Sequence, residues 1–420
     1  MKILSLQKKP DRSLHGKLTT FLLATLVALS ACSGNNNTSS TPIPLPNGQA
    51  GSLITSNGNP ADCFATTTTT TSGLSLTNCS TSSSTSAGAN GVTALNTFIS
   101  TTTTPNSPGL VVGESNGVVS VVNSVDSSPS VPSSYCSTGS SPIAAVAGVS
   151  SPSTTNIFAA SGNTLYGFNL SSSCTAFSST ITISSGTITG LGIYKNVLFG
   201  VTNNGSYFSI AGANTLTSFP TVFTTQLTPL PNYPVSGPNI NGMAIDPNGL
   251  VFLADASTNT PNNGGQITIY HVSSSNGNTL SPNNVQSYSG NNNGVAMSDP
   301  IGIAVSETTV TNSNYCSTAP CDYIYLLNIG NSIQQYVMPV PNPINGGVSI
   351  NPFNLPYTGC EMTDPVALTS FPNLYNESPN QTAPFVFLGN KATSNLESCA
   401  GSGTYAYGNN VVSYGITGQP

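Results

Sequence analysis

Charge is what this sequence has least of. Lys, Arg, Asp and Glu together make up 5% of its 420 residues, and only two histidines occur. Five of the seven Lys and Arg residues (Lys2, Lys8, Lys9, Arg12 and Lys17) fall in the first seventeen positions, so Lys195 and Lys391 serve everything that follows, and no arginine comes after Arg12. Nucleic-acid binding depends on Lys and Arg to neutralise phosphates, so that class is excluded, and an anionic-membrane patch is excluded on the same ground. Stretches of Glu, Lys, Arg and Ala that favour helices are missing as well. What remains is rich in Gly, Ser, Thr and Asn with short β-branched runs, which is an all-β composition. The sequence also lacks GxSxG, HExxH and any Gly-rich loop opening a helix. His271 alternates with Ile269 and Tyr270 in an expected strand without a positioned carboxylate, and reads as structural rather than as a general base.

The basic first segment precedes an uncharged apolar run from Leu18 to Leu29. A run of about twelve residues is too short for a helix across a bilayer core of about 30 Å, so it reads as an export signal and not an anchor. It ends in Leu29-Ser30-Ala31-Cys32, which resembles a lipobox: small residues fit the signal peptidase, and the Cys32 sulfur would take the diacylglycerol. The alternative is an ordinary signal peptide cut near Ala31. Ser33, rather than Asp, resembles the outer-membrane sorting default of lipoproteins, with the protein facing the periplasm or the cell surface. Once residues 1–31 are removed, two lysines stand against twelve acids, a formal charge of −10. Residues 32–60 are Asn, Ser, Thr, Pro and Gly with few large apolar side chains, and are expected to be a flexible tether ahead of a domain spanning 61–420.

Nine cysteines less the lipidated one leave eight, an even number in an oxidising compartment. Disulfides are favoured over metal ligation, because only Cys316 and Cys321 are close in sequence and one histidine remains. Cys63 and Cys79 would close a hairpin formed around Ser72-Gly73, unless the run Thr66 to Thr71 is a disordered low-complexity stretch. Cys316 and Cys321 bracket one loop, and Cys360 and Cys399 fall on one face of one repeat. Cys136 and Cys174 are paired by elimination only, since the expected register sets them at different ends of a blade.

From residue 90 the chain repeats. An opening with a small residue third and an apolar residue fourth recurs as GVTALN from Gly91, PIAAVA from Pro142, ITGLGI from Ile188, INGMAI from Ile240, PIGIAV from Pro300 and PVALTS from Pro365. Each opening is followed by a second apolar run and then a third, the third introduced by a turn containing Gly or Asn. Six copies of strand, strand, strand and a variable fourth segment predict an all-β six-bladed β-propeller. The sixth copy has no fourth run, so the ring is expected to be closed by an N-terminal strand from the Cys63 to Cys79 region, which removes exposed sheet edges. A seventh, degenerate blade and a β-solenoid are the alternatives.

INGMAIDPNGLVFLADAS followed by GGQITIYHV over residues 240–272, and PIGIAV followed by YIYLLNIGNSIQQYV from Pro300, resemble NHL repeats. The resemblance covers two blades well and the other four in outline. It departs from the family pattern in having no Arg before the third strand. NHL-type propellers are mostly binding scaffolds, and related six-bladed folds include lactonases with a channel metal held by Glu, Asn and Asp. Those ligands cannot be matched here one for one.

Ligands of propellers usually bind at the face formed by the loops entering strand one and those joining strands two and three. Asp255, Asp299, Glu361 and Asp364 are placed on it, with Asp299-Pro300 and Asp364-Pro365 at equivalent positions. Together they are candidate ligands for Ca²⁺, with Asn239 or Asn241 adding amide oxygens, or else each Asp accepts a backbone hydrogen bond at a blade start. Asp246-Pro247-Asn248-Gly249 between strands one and two reads as a turn. The expected function is a lipid-anchored, noncatalytic binding or scaffold module with an envelope protein or a glycan as partner, touching the membrane through its lipid alone and needing no cofactor. A metal-dependent lactonase-like hydrolase at the channel is the alternative, and a purely structural surface protein is a third reading.

Overall fold

The computed structural model describes residues 92–101, 107–122, 134–139, 141–170, 173–220, 227–257, 264–275, 277–283, 285–289, 297–308, 321–329 and 332–339, together with strands Ser52–Thr55, Cys63–Thr66, Leu74–Leu76, Asn351–Asn354, Pro365–Ser370, Phe385–Asn390, Glu397–Ser398, Thr404–Tyr405 and Asn410–Thr417. Among the described residues there is no helix, hence none long and apolar enough to cross a membrane. The signal, Cys32 and the tether as far as residue 51 lie outside the described residues.

The fold is an all-β propeller. Blade 1 consists of Val92–Ser100, Ser107–Glu114, Val118–Val122 and Ser134–Ser137, paired in that order. Blade 2 begins with Ala145–Ser151, Thr154–Ser161, Thr164–Leu170 and Cys174–Ala176, and Ile181–Thr182 adds to its third strand. Blade 3 runs through Ile188–Tyr194, Val197–Thr202, Ser206–Ala211 and Thr228–Pro229, and blade 4 through Ile240–Ile245, Leu250–Asp255, Gln266–His271 and Gln286–Tyr288. Pro300–Thr308, Cys321–Asn328, Ser332–Pro339 and Asn351–Asn354 form blade 5.

Five blades are thus built from consecutive strands, one fewer than the six copies read in the sequence. The sixth copy supplies Pro365–Ser370, Phe385–Asn390 and Asn410–Thr417 to a larger, composite sheet. There Asn410–Thr417 pairs not with a following strand but with segments from the other end of the chain: Cys63 opposes Val412, and Ser52 opposes Thr417. The expected hairpin is present, with Phe64 opposite Leu76.

The repeat has a physical cause in the innermost strand. Blades 1, 3, 4 and 5 and the composite sheet each shift register after the first residue of that strand, at Val92/Ala94, Ile188/Gly190, Ile240/Gly242, Pro300/Gly302 and Pro365/Ala367. One extra residue there bends the strand and increases its twist. The residue after the bulge meets the neighbouring blade, which is why it is small. A Cβ on Gly190 would lie 2.5 Å from Met243 Cβ, and one on Gly242 would lie 3.4 Å from Gly302 Cα. In this register the first copy begins at Val92, one residue later than its sequence pattern suggests.

Second strands are buried on both faces, as in Val197–Thr202 and Leu250–Asp255, and so read as continuous apolar runs rather than alternating ones. The core is divided among the gaps between blades. Phe158, Phe177 and Phe219 pack edge-on or tilted between blades 2 and 3, and Phe252, Ile324 and Tyr336 fill the space between blades 4 and 5. Across the ring, Asn241 Nδ2 donates to the Pro300 carbonyl, and Ser370 Oγ donates to that of Val305.

Cys136 and Cys174 form a disulfide, with Cα atoms 5.5 Å apart. They lie in the outermost strands of blades 1 and 2, not at opposite ends of one blade. The expected register failed because Ser134–Ser137 and Cys174–Ala176 are short edge strands with no apolar run to mark them. Cys63 and Cys321 begin strands. Cys79, Cys316, Cys360 and Cys399 lie outside the described residues, and with them their expected pairings.

Candidate functional site: a carboxylate cluster between two blades

The channel at the centre of the ring is narrow. Leu95, Leu191, Met243, Ile303 and Leu368, one from each of five innermost strands, border a cavity of about 90 Å³. Asn96 and Thr97 add polar atoms there, and no carboxylate is among the described residues lining it.

Asp255 and Asp299 lie at one end of blades 4 and 5. Asp255 ends the second strand of blade 4, fully buried, and its oxygens are engaged by protein donors. Oδ1 accepts from the backbone N–H groups of Asn239 and Ser257, each at 2.8 Å, and Oδ2 from Tyr233 Oη at 2.8 Å and Gln266 Nε2 at 3.4 Å. Burial, and then the adjacent Asp255 charge, push the Tyr233 phenol well above its ordinary range. Asp299 precedes blade 5 with φ of 45° and donates its N–H to the Gly264 carbonyl. Asn239 meets Asp255 through its backbone, and Asn241 donates to Pro300. Glu361 and Asp364 lie outside the described residues.

The opposite face holds an arrangement that the sequence reading missed. Asp246, Glu307 and Asp322 each place a carboxylate oxygen within 4.8 Å of the others. Asp246 opens the turn between strands one and two of blade 4, while Glu307 and Asp322 are cross-strand partners at the corresponding end of blade 5. The turn forms as its residues dictate. Gly249 takes φ of 86°, its N–H bonds back to the Asp246 carbonyl, and the Asp246 N–H reaches Leu250. Asp246 Oδ1 accepts from the backbone N–H of Asn248 at 3.0 Å and from that of Leu250.

Asn248 then links the blades. Its Nδ2 donates to Asp246 Oδ2 at 3.1 Å and to Glu307 Oε2 at 2.6 Å. Its carbonyl accepts from Tyr194 Oη of blade 3 at 3.2 Å, and the Lys195 ammonium rests over that ring, 5.1 Å from the centroid. A Cβ on Gly249 would lie 2.7 Å from the Tyr194 ring, so glycine serves both the positive φ and this close approach.

Asp322 is fully buried, and neither of its oxygens has a hydrogen-bond donor. Desolvation, joined by the neighbouring Asp246 and Glu307 charges and by a side-chain hydrogen bond to Asp246 that the protonated form donates, holds its carboxyl far above the usual carboxylate range. Asp246 is pushed up to about 6, mainly by burial, against its hydrogen bonds from Leu250 and Asn248. The sequence signal for this cluster was available: Glu307 and Asp322 flank one strand connection symmetrically, and the Asp246 turn occupies the same connection one blade earlier.

A second buried acid went unnoticed as well. Glu114 ends the second strand of blade 1, where Asp255 ends that of blade 4. Its Oε1 accepts from Ser120 at 2.9 Å, while Oε2 is buried without a partner. Burial raises its carboxyl to about 7. His271, last in its strand, has an imidazole whose pKa is lowered by burial.

No protein family matches the sequence, and no curated protein matches it. Among solved structures, the chain is similar to the β-propeller domain of Cps50 (Swd1) from Myceliophteria thermophila, at 8% identity and a TM-score of 0.43, over 90% of this chain and 100% of that one. Two structures of BBS1N in complex with ARL6DN, soaked with mercury or with lead, give 13% and 12% identity and TM-scores of 0.35 and 0.36. They match 60% and 61% of this chain, which spans 66% and 67% of their lengths.

Proposed function

We propose that the protein is a noncatalytic binding or scaffold propeller, exported by residues 1–31 and held at the bacterial outer membrane by a lipid on Cys32, with an envelope protein or a glycan as its partner. The observation that carries this reading is the filled channel. Small-molecule sites are usually pockets of about 300–1,000 Å³, whereas the cavity among the innermost strands is about 90 Å³. What such a ring offers a partner is its loop faces, rich in hydroxyls and amides. A channel-sited lactonase needs converging oxygen ligands, and the described channel lining contributes none from carboxylates.

We further read the composite sheet as a sixth, NHL-like blade whose outer strands come from Cys63–Thr66 and Leu74–Leu76, so that the N-terminal segment closes the ring. The pairing of Phe64 with Val411 supports this, as does the approach of Val92 to Gly389, where a Cβ would lie 2.4 Å from the valine Cγ1. Deleting residues 61–79 from the full chain is expected to abolish the single cooperative unfolding transition, and an unchanged transition would overturn the closure.

The anchor and the partner are tested together in the native host. Mass spectrometry of the mature N-terminus should find a diacylglyceryl group on Cys32, and Cys32→Ala should leave the membrane fraction. Photo-crosslinkers in the blade turns and a glycan array should return a saturable partner with either form. An unmodified Cys32 overturns the anchor. Hydrolysis of lactones by the purified chain overturns the noncatalytic reading.

A further inference from the structure

We propose that Asp246, Glu307 and Asp322 form a Ca²⁺ site that clasps blade 4 to blade 5. Three carboxylates converge from two blades, and the innermost of them, Asp322, is fully buried with both oxygens lacking a donor. A buried carboxylate without a donor costs several kcal/mol, which it escapes either by holding a proton or by meeting a positive charge. This chain has little to offer, since two lysines are all the Lys and Arg that follow residue 31. A bound cation supplies the charge instead.

The donor chemistry selects the ion, and the spacing admits it. Ca²⁺ takes oxygen ligands at about 2.3–2.6 Å, so two ligands on opposite sides of one ion stand about 4.8 Å apart at most for a typical bond. The three carboxylate oxygens lie within 4.8 Å of one another. Among the described residues no nitrogen or sulfur ligand joins them, which disfavours zinc and copper. Glu307 is half-buried and leaves a side open for coordinating water. Asn248 orients two of the ligands through its amide, and the backbone N–H groups of Asn248 and Leu250 fix Asp246. Such outer contacts hold ligating carboxylates in place.

The site is distinct from the acids of the opposite face, Asp255 and Asp299, and the experiment separates the two. The full chain, stripped with EDTA and dialysed, is titrated with CaCl₂ at pH 7.5 by calorimetry and followed by thermal unfolding. About one Ca²⁺ per chain is expected, with a rise in melting temperature that EDTA reverses. Asp322→Asn should lose the calorimetric signal and the thermal shift, while melting in EDTA no lower than the parent. Glu307→Gln, at a half-buried position, should fold normally and bind at least tenfold more weakly, which keeps the test decisive if Asp322→Asn fails to fold. Asp299→Asn should bind as the parent does. Absence of binding overturns the site, as does binding that survives both Asp322→Asn and Glu307→Gln. Tighter binding of Mg²⁺ than of Ca²⁺ overturns the choice of ion.

Discussion

Thr97 Oγ1 donates a 2.6 Å hydrogen bond to the carbonyl of Ser370, joining two innermost strands that lie 273 residues apart in the chain. Both residues are buried, so neither group exchanges its partner for water at low cost. Thr97→Val keeps the shape and removes this donor from the Ser370 carbonyl. We expect a loss of about 1–2 kcal/mol in urea unfolding, with faster amide exchange in Val92–Ser100 and Pro365–Ser370 together. Faster exchange in only one of them would show that the bond does not couple the two strands.

Gly190 tests why the repeat needs a small residue in its opening. An added Cβ would lie 2.5 Å from Met243 Cβ and 3.0 Å from the Met243 backbone nitrogen. The backbone of blade 4 has to shift, so Gly190→Ala should destabilise by about 1–3 kcal/mol, as overpacking in a core does. Gly242→Ala, whose nearest contact is at 3.4 Å, should cost less. Equal losses at the two positions would refute the close-approach account.

Glu114 sets a pH dependence. Its folded pKa of about 7 lies above its ordinary 4.5, so folding favours the protonated form. The stabilisation is fully present below pH 4.5 and is lost as pH rises through about 7. Replacing it by Gln keeps an oxygen for Ser120 without the charge. Between pH 5 and pH 8, the parent should lose on the order of 2 kcal/mol more stability than Glu114→Gln. Denaturant midpoints at the two pH values provide the check, and parallel profiles would remove Glu114 as the cause.

The Cys136–Cys174 bond closes a separation of 38 residues across two blades. Chain entropy assigns a loop of that size about 4 kcal/mol, and measured disulfides generally contribute about 2–4 kcal/mol. The double variant Cys136→Ala, Cys174→Ala should lower the melting temperature by several degrees, and non-reducing peptide mapping of the parent should recover the crosslinked pair. A free thiol at either position in oxidised protein would contradict the pairing.

The inner architecture was legible in the sequence because its innermost strands, blade 2 excepted, obey one rule: a bulge, a small residue against the next blade, then an apolar run. Ile188-Thr189-Gly190 and Ile240-Asn241-Gly242 show it in letters alone. The outer strands were not legible. Thr228–Pro229 and Cys174–Ala176 are two and three residues long and largely solvent-facing, so no hydrophobic pattern records them. That is why the disulfide between two such strands carried no signal of register. The carboxylate cluster was harder to read for another reason. Asp246 obeys every rule of a turn residue, and its second role depends on Glu307 and Asp322, which pairing in the next blade brings to it from about 60 and 75 residues away.

The disulfide also bears on how the molecule survives damage. Exposed positions at Pro152, Ser153, Gly162 and Asn163 are natural places for a protease to nick the chain, and all four lie between Cys136 and Cys174. A cut at any of them leaves both fragments covalently joined, each still paired within its sheet. Such a break would sever the chain without releasing a piece of it.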